Sequence, residues 1–588
     1  MSRRVKLGIM MALFALAVGF AAVTTTLVIN GTLSIGPDGE GFDSDVIFSK
    51  SKIVDGTGTS FISADGKSLN FNVELMELGT EVDLRYDILN KNRQYDAKGT
   101  VSCDFVDETN AYNGYITITE TPKEFSVNGG TKTTGHVLVK LVRSFAGDET
   151  IDYANIEFKC VIKLEANERD DLAPEVPPIY VDEELNGADP VLTGGLVPIS
   201  LTNDGKVIYA DMYDKWYDYS TRRWANAVII KSEAASKYEE GDVIKEEDIE
   251  SYFVWIPRYR YKLWNVDSTT ITDGNAPNSS NAQTIDVVFE TKNADPSEGT
   301  KNGEWLTHPA FTNFDVNGIW VAKYETGLST ATKKADGVLS SADTSLIVVK
   351  PNAYAWRQNS VTNMFNISYE YNRYLDSHMM KNTEWGAVAY LSHSAYGIGD
   401  NIRINNNSDF MTGYAFYQKP LQVSPGNTQK YAFSNDLKYT KPYNDSESGY
   451  LASTTGNITG VYDMSGGSEE IVAAYVEGTN LYSFKNIENR EKYFDVYPAD
   501  STSTSYGNRI LGDATGEMGP FYNYTDDDEK ERVHNSWYLN PSDFISIENK
   551  WFLRGSRVHF GSIVGQFAFT AQGFVGNANS WRIVLAPQ

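Results

Sequence analysis

A chain of 588 residues is too long for one hydrophobic core and calls for two or more domains. Its hydrophobic content of 41% and aromatic content of 13% exclude a disordered chain, and a mean hydropathy of -0.38 excludes a polytopic membrane protein. A formal net charge of -27 sets the chain apart from nucleic-acid binders, because phosphate contact needs clustered Lys and Arg.

Residues 1–22 read as a signal peptide or signal anchor. Arg3, Arg4 and Lys6 make a basic start, and Leu7 to Ala22 is almost wholly apolar. Gly19 and Ala21 are small residues at the third and first positions before a cut after Ala21. No charge occurs from Leu7 to Asn30, a stretch long enough to span a bilayer uncleaved, although Thr24, Thr25 and Thr26 speak against that. Either way the expectation is an exported protein, at the cell surface or secreted. Its membrane contact would be limited to such an N-terminal anchor.

Residues 23–168 read as an all-β domain. Strand-like runs recur between turn signals at residues 26–29, 69–73, 82–86, 115–119, 136–142 and 156–164, with the spacing of a β-sandwich. The chain's two cysteines fall here. Alternation groups Val101, Cys103 and Phe105 on one strand face, and Ile156, Phe158, Cys160 and Ile162 on another. Both thiols therefore face a core. In an exported domain a disulfide between Cys103 and Cys160 is one reading, and two buried free thiols the other. The region holds no Trp, whereas the remainder holds all eleven, which supports a real boundary. Residues 169–194 are acidic and bear prolines, and read as a linker.

From residue 195 onward Trp, Tyr, Asn, Gly and Ser dominate. One helix is expected from Thr383 to Ser392, with Thr383 as its cap and Glu384 in its first turn. A second helix candidate lies around Ala353 to Tyr374. The rest reads as short strands and long polar loops.

Five stretches of this region form an ordered set: SYFVWIPRYRY (Ser251–Tyr261), GIWVAKYE (Gly318–Glu325), MKNTEWGAVAY (Met380–Tyr390), GNITGVYDMSGG (Gly456–Gly467), and RGS (Arg554–Ser556) through SWRIVL (Ser580–Leu585). Together they resemble the formylglycine-generating-enzyme (sulfatase-modifying factor) branch of the C-type lectin fold. That family carries a KYE strand, a PTEAEWE helix, a GLYDMxGN turn and a closing GFR strand. The resemblance covers roughly residues 195–588, with loop insertions. The first region in turn resembles the small Ig-like domains of exported Gram-positive surface proteins. The fold class implied is mainly β with α+β character: an N-terminal Ig-like β-sandwich (23–168) followed by a C-type lectin-like domain (195–588).

The family's enzyme chemistry is not expected. Its formylglycine-generating members use a cysteine pair in this domain, and residues 161–588 contain no cysteine. Its iron-dependent members use a histidine cluster. Here His308, His378, His393, His534 and His559 are scattered, with no pair three or four residues apart. No catalytic residue, metal ligand or cofactor is therefore assigned. Asp526 to Glu529 reads as a solvated acidic loop, and a structural calcium there is without support.

The C-terminal segment 554–585 resembles the variable region of proteins diversified by retroelements, in which a lectin-like domain ends in a fixed frame holding exchangeable codons. Arg554, Gly555, Gly561, Gly565, Phe567, Gly573, Ser580, Trp581 and Arg582 match the frame. Arg557, Val558, His559, Phe560, Ile563, Thr570, Ala571, Phe574 and Val575 hold the exchangeable slots, and adenine mutagenesis of an Asn codon reaches the residue at each of the nine. Asn577 and Asn579 read as undiverged slots. Gln566 and Gln572 cannot be reached in this way and count as scaffold. The resemblance implies a bacterial variable protein whose lectin-like face binds a protein or glycan on another cell, a host or a phage. The alternative is a surface adhesin of fixed glycan specificity. A formylglycine-generating-type enzyme and a prophage receptor-binding protein stand behind both.

Overall fold

The computed structural model describes residues 23–31, 45–62, 66, 68–75, 78–105, 114–143, 156–169, 173, 179–193, 195–264, 266, 284–332, 334–351, 353–403, 452–481, 484, 490–517, 522–525, 532–556, 564–576 and 578–587. The leader, Asp526 to Glu529, and the slots Arg557, Val558, His559, Phe560 and Ile563, with Gly561 and Asn577, lie outside the described residues. The chain is mainly β. It divides into one unit of residues 1–179, 192–196 and 230–239, and a second of residues 180–191, 197–229 and 240–588.

The first unit contains ten strands: β1 (Val23–Gly31), β2 (Val46–Asp55), β3 (Thr57–Ile62), β4 (Ser68–Leu75), β5 (Glu81–Asn90), β6 (Tyr95–Phe105), β7 (Ile116–Thr121), β8 (Glu124–Val127), β9 (Thr131–Leu141) and β10 (Ile156–Glu168). They form a six-stranded sheet in the order β3-β4-β1-β10-β6-β8 and a four-stranded sheet in the order β2-β5-β9-β7. One core draws on both sheets: Leu69, Val73 and Leu75 of β4 meet Leu84, Tyr86 and Ile88 of β5 and Val137, Val139 and Leu141 of β9. Alternation of buried and half-exposed residues along β5 and β9 sets this face, as a period of two requires. The six expected strand runs all fall on strands, apart from single terminal residues. β2 was not expected, and its pairing with β5 shows why. Its register shifts between Phe48 and Lys50 and again between Ile53 and Asp55, so the alternation that marks a strand is broken twice.

Half of the expected linker is folded structure. Residues 180–191 belong to the second unit, where Leu185 and Ala188 are fully buried. Their backbone carbonyls serve as acceptors for indoles: Trp255 Nε1 donates to Ala188 O at 2.9 Å and Trp320 Nε1 to Val191 O at 2.8 Å. Acidic, proline-bearing composition masked this packing, because the segment contributes backbone carbonyls and only two fully buried apolar side chains.

The second unit is built on an eight-stranded sheet. Its order is Val243–Ile244, Val207–Tyr209, Leu196–Leu201, Asn226–Ile230, Ile249–Pro257, Gly318–Ala322, Ile583–Leu585 and His378–Met379. Three of the five motif stretches are thus neighbours in one sheet, with Trp255 opposite Trp320 and Trp320 opposite Leu585. A four-stranded sheet runs Phe569–Gln572, Trp551–Arg554, Glu469–Ile471, Asn579–Trp581. Two helices of eleven residues pack here, α1 (Val361–Tyr371) and α2 (Asn382–Ser392). In α1, Ser360 caps the Asn363 N–H, and Val361, Met364, Phe365 and Ser368 form one buried stripe at helical spacing. All eleven residues of α2 are buried.

The expected cap of α2 is corrected. Thr383 lies inside the helix, and its N–H donates to Asp495 Oδ2 at 2.7 Å. Glu384 reaches back to accept from the Lys381 N–H at 2.8 Å. A carboxylate from 112 positions away therefore replaces the local hydroxyl.

Candidate ligand-binding face

The frame of the C-terminal segment is held from below by buried polar groups. Arg582 Nε donates to Glu470 Oε2 at 2.9 Å, and Nη2 makes a second contact to Glu470 Oε1. The same guanidinium donates to Ala322 O at 2.7 Å and Tyr462 O at 2.9 Å. One side chain thus ties the closing strand to the KYE strand, the YDM turn and Glu469–Ile471. Burial alone would lower the Arg582 pKa, but the Glu470 carboxylate outweighs it and holds the guanidinium charged.

Two more charged residues of the KYE stretch complete the net. Lys323 Nζ donates to Asn226 Oδ1 and Ile458 O at 2.7 Å each and to Gly460 O at 2.9 Å. Its pKa is pushed down by burial, and these three oxygens meet its donors. Glu325 accepts from the Ser468 N–H at 2.6 Å and from Ser580 Oγ at 3.2 Å. Burial, reinforced by the Asp463 and Glu470 carboxylates, pushes its pKa well up and favours the neutral acid. These contacts are all internal to the second unit.

The frame residues of the segment itself are core. Arg554, Phe567, Trp581 and Arg582 are all 0% exposed. Trp581 Nε1 donates to Ser368 Oγ of α1 at 2.9 Å, and its ring lies 5.4 Å from that of Trp356. Arg554 sits 5.5 Å over the Trp385 ring and 5.6 Å over Phe569, and burial lowers its pKa to about 10. Phe567 packs edge-on against Trp537 at 5.3 Å. Gly555 has φ +78°, which an L side chain rarely adopts, and a Cβ at Gly565 would meet Asn540 Oδ1 at 2.2 Å. Trp385 of α2 is 0% exposed and donates its Nε1 to Gln566 O at 2.8 Å, inside the C-terminal segment. Gln566 itself is fully buried, in keeping with its scaffold reading.

The described slots are more exposed than this frame. Thr570 and Ala571 are half-buried on the edge strand Phe569–Gln572, opposite Leu553 and Phe552 of the neighbouring strand. Val575 is half-buried in the turn that follows. Phe574 is 69% exposed, the highest value of any large hydrophobic residue described. Asn579 is corrected: it is 1% exposed and donates to Glu469 Oε2 at 3.3 Å, and it accepts from the Gly576 N–H. Its burial groups it with the frame residues rather than with the other described slots.

Ile547 was missed. It is 56% exposed, and the carbonyl of the next residue, Glu548, lies 2.6 Å from where a Gly573 Cβ would stand, so it borders the Phe574 turn. Nothing in ISIEN distinguishes an exposed isoleucine from a core one. A buried carboxyl also escaped notice. Glu517 accepts from Tyr261 and Tyr390 hydroxyls at 2.8 and 2.7 Å and from the Gly512 N–H at 2.7 Å. Burial pushes its pKa up to about 7. Among the described residues no group of three or more His, Cys, Asp or Glu is placed to hold a metal ion. Among them, too, no helix is long and apolar enough to cross a membrane.

Comparison with known proteins returns no matching family model, curated protein or solved structure.

Proposed function

We propose that this chain is an exported ligand-binding protein. In this reading an Ig-like sandwich carries a C-type lectin-like domain, and the C-terminal face of that domain binds a protein or glycan on another cell, a host or a phage. The face is of the retroelement-diversified kind, with Arg557, Val558, His559, Phe560, Ile563, Thr570, Ala571, Phe574 and Val575 as its exchangeable positions. It performs no catalysis.

The observation that carries the reading is the contrast along one segment. Arg554, Phe567, Trp581 and Arg582 are fully buried, whereas the described slots are half-exposed and Phe574 is 69% exposed. An aromatic ring so exposed adds little to the core and is available to a partner as a contact residue. The described side-chain hydrogen bonds of Trp581 and Arg582 run to Ser368, Glu470, Ala322 and Tyr462, none of them a slot.

The test is to sequence the genome around the gene. The reading expects an imperfect copy of the codons for residues 554–585 that differs at adenines, beside a reverse-transcriptase gene. If no such copy exists, diversification is refuted and the face is a fixed site, to be screened against glycans with Phe574→Ala as the control.

A further inference from the structure

The two cysteines are brought together by the fold. They stand 57 positions apart in a sequence that holds no others. β10 pairs antiparallel with β6 in a register that runs unshifted from Phe158 opposite Phe105 to Glu168 opposite Tyr95, and within it Cys160 is the Cα partner of Cys103. Residues paired in this way share a sheet face, with Cα atoms about 4.5–5.5 Å apart. A disulfide spans about 4.4–6.8 Å between Cα atoms, so the backbone needs no rearrangement to accept one. A slip of one residue would put the two on opposite faces, but both flanking pairs match as well: Phe158 with Phe105, and Ile162 with Val101.

We propose that Cys103 and Cys160 are joined by an intrachain disulfide that fastens β6 to β10. These are interior strands of the six-stranded sheet. The stretch between the cysteines contains β7 and β9, which belong to the opposite sheet, so the bond closes a loop that passes through both layers. The oxidant is a disulfide, small-molecule or protein-borne, of the compartment into which the chain is exported. One cysteine thiolate attacks it and forms a mixed disulfide, releasing one thiol. The second cysteine thiolate attacks the mixed disulfide and releases the other. Two protein thiols are oxidised and one disulfide is reduced to two thiols. The proposal rests on the export reading for its reagent but not for its geometry.

The two dependences are tested separately. The full chain, purified reduced, is equilibrated with oxidised and reduced glutathione in native buffer and, in parallel, in urea. Each sample is then alkylated in denaturant and weighed. Closure at least tenfold more favourable in native buffer than in urea, without a covalent dimer, is expected. Closure no better in native buffer than in urea would overturn the proposal, as would a dimer formed in place of the intrachain bond. Cys103→Ser and Cys160→Ser each remove the partner. With one thiol left, each should carry at most a single glutathione adduct, and the two serve as mass standards for the open chain. Chain recovered from its native compartment and alkylated at once supplies the last arm. Two free thiols there would overturn the proposal; with native-favoured closure in vitro they would trace the failure to the export reading, and without it to the geometry.

Discussion

The division between frame and slots makes a quantitative claim that two substitutions can test. Trp581 is 0% exposed and bonded to Ser368, so Trp581→Ala removes a fully buried indole and one hydrogen bond. Truncations of this kind cost about 3–5 kcal/mol. A value near 4 kcal/mol lowers the folding constant about a thousandfold. Phe574, at 69% exposed, has about a third of its surface covered. For a ring of about 200 Å² that is roughly 60 Å², or about 1.5 kcal/mol as a ceiling, since an unfolded chain covers part of it too. Phe574→Ala should therefore cost less than about 1 kcal/mol. All eleven tryptophans lie in the second unit, so tryptophan fluorescence in a urea titration follows that unit alone. Ten remain to report on the Trp581 variant. Comparable midpoint losses in the two variants would refute the reasoning, because Phe574 would then be core and the slot map wrong.

Glu517 predicts a pH dependence. Its folded pKa is raised to about 7 by burial, so the stability it confers is fully present below its unfolded value of 4.5 and is lost as pH rises through 7. Glu517 should account for a loss on the order of 3 kcal/mol across that window, and Glu517→Gln should make the curve shallower by that amount, Glu470, also raised to about 7, keeping a slope of its own; an unchanged curve in that variant would assign the effect elsewhere. Lys323→Met leaves Asn226 Oδ1, Ile458 O and Gly460 O without their shared donor, and should cost about 3 kcal/mol or more by urea titration. A midpoint within error of the parent would show that these oxygens find other donors. Gly555→Ala places a Cβ at φ +78° and should cost about 1–2 kcal/mol; a neutral result in the same titration would mean the turn relaxes freely.

Much of the fold was legible because it is written in local periods. Alternation located β4, β5, β9 and β10, and it grouped the residues around Cys103 and Cys160 that the register then pairs. What it missed depends on partners remote in sequence. The bulges of β2 are set by β5, the cap of α2 comes from Asp495, and residues 180–191 are recruited by the indoles of Trp255 and Trp320. The candidate face was half legible. Glycine spacing and the closing SWRIVL mark the frame. Whether an asparagine is slot or frame depends on what lies beneath it, and beneath Asn579 lies Glu469.

A face that tolerates exchange must draw its stability from elsewhere. If its backbone were set by apolar packing among the exposed residues, each exchange would refold it. Here the closing strand is fixed by Arg582, whose donors are directional and point to Glu470, Ala322 and Tyr462, none of them a slot. Phe567 and Phe569 carry the segment's own apolar contacts inward, to Trp537 and Phe552. Replacing a buried charge network by apolar residues often raises stability, so such a network is weak evidence for stability as such. Its use here is orientation: hydrogen bonds admit one register for the strand, whereas apolar contacts admit several. On the proposed reading, exchange at Thr570 or Phe574 changes what the face presents without changing where it is presented.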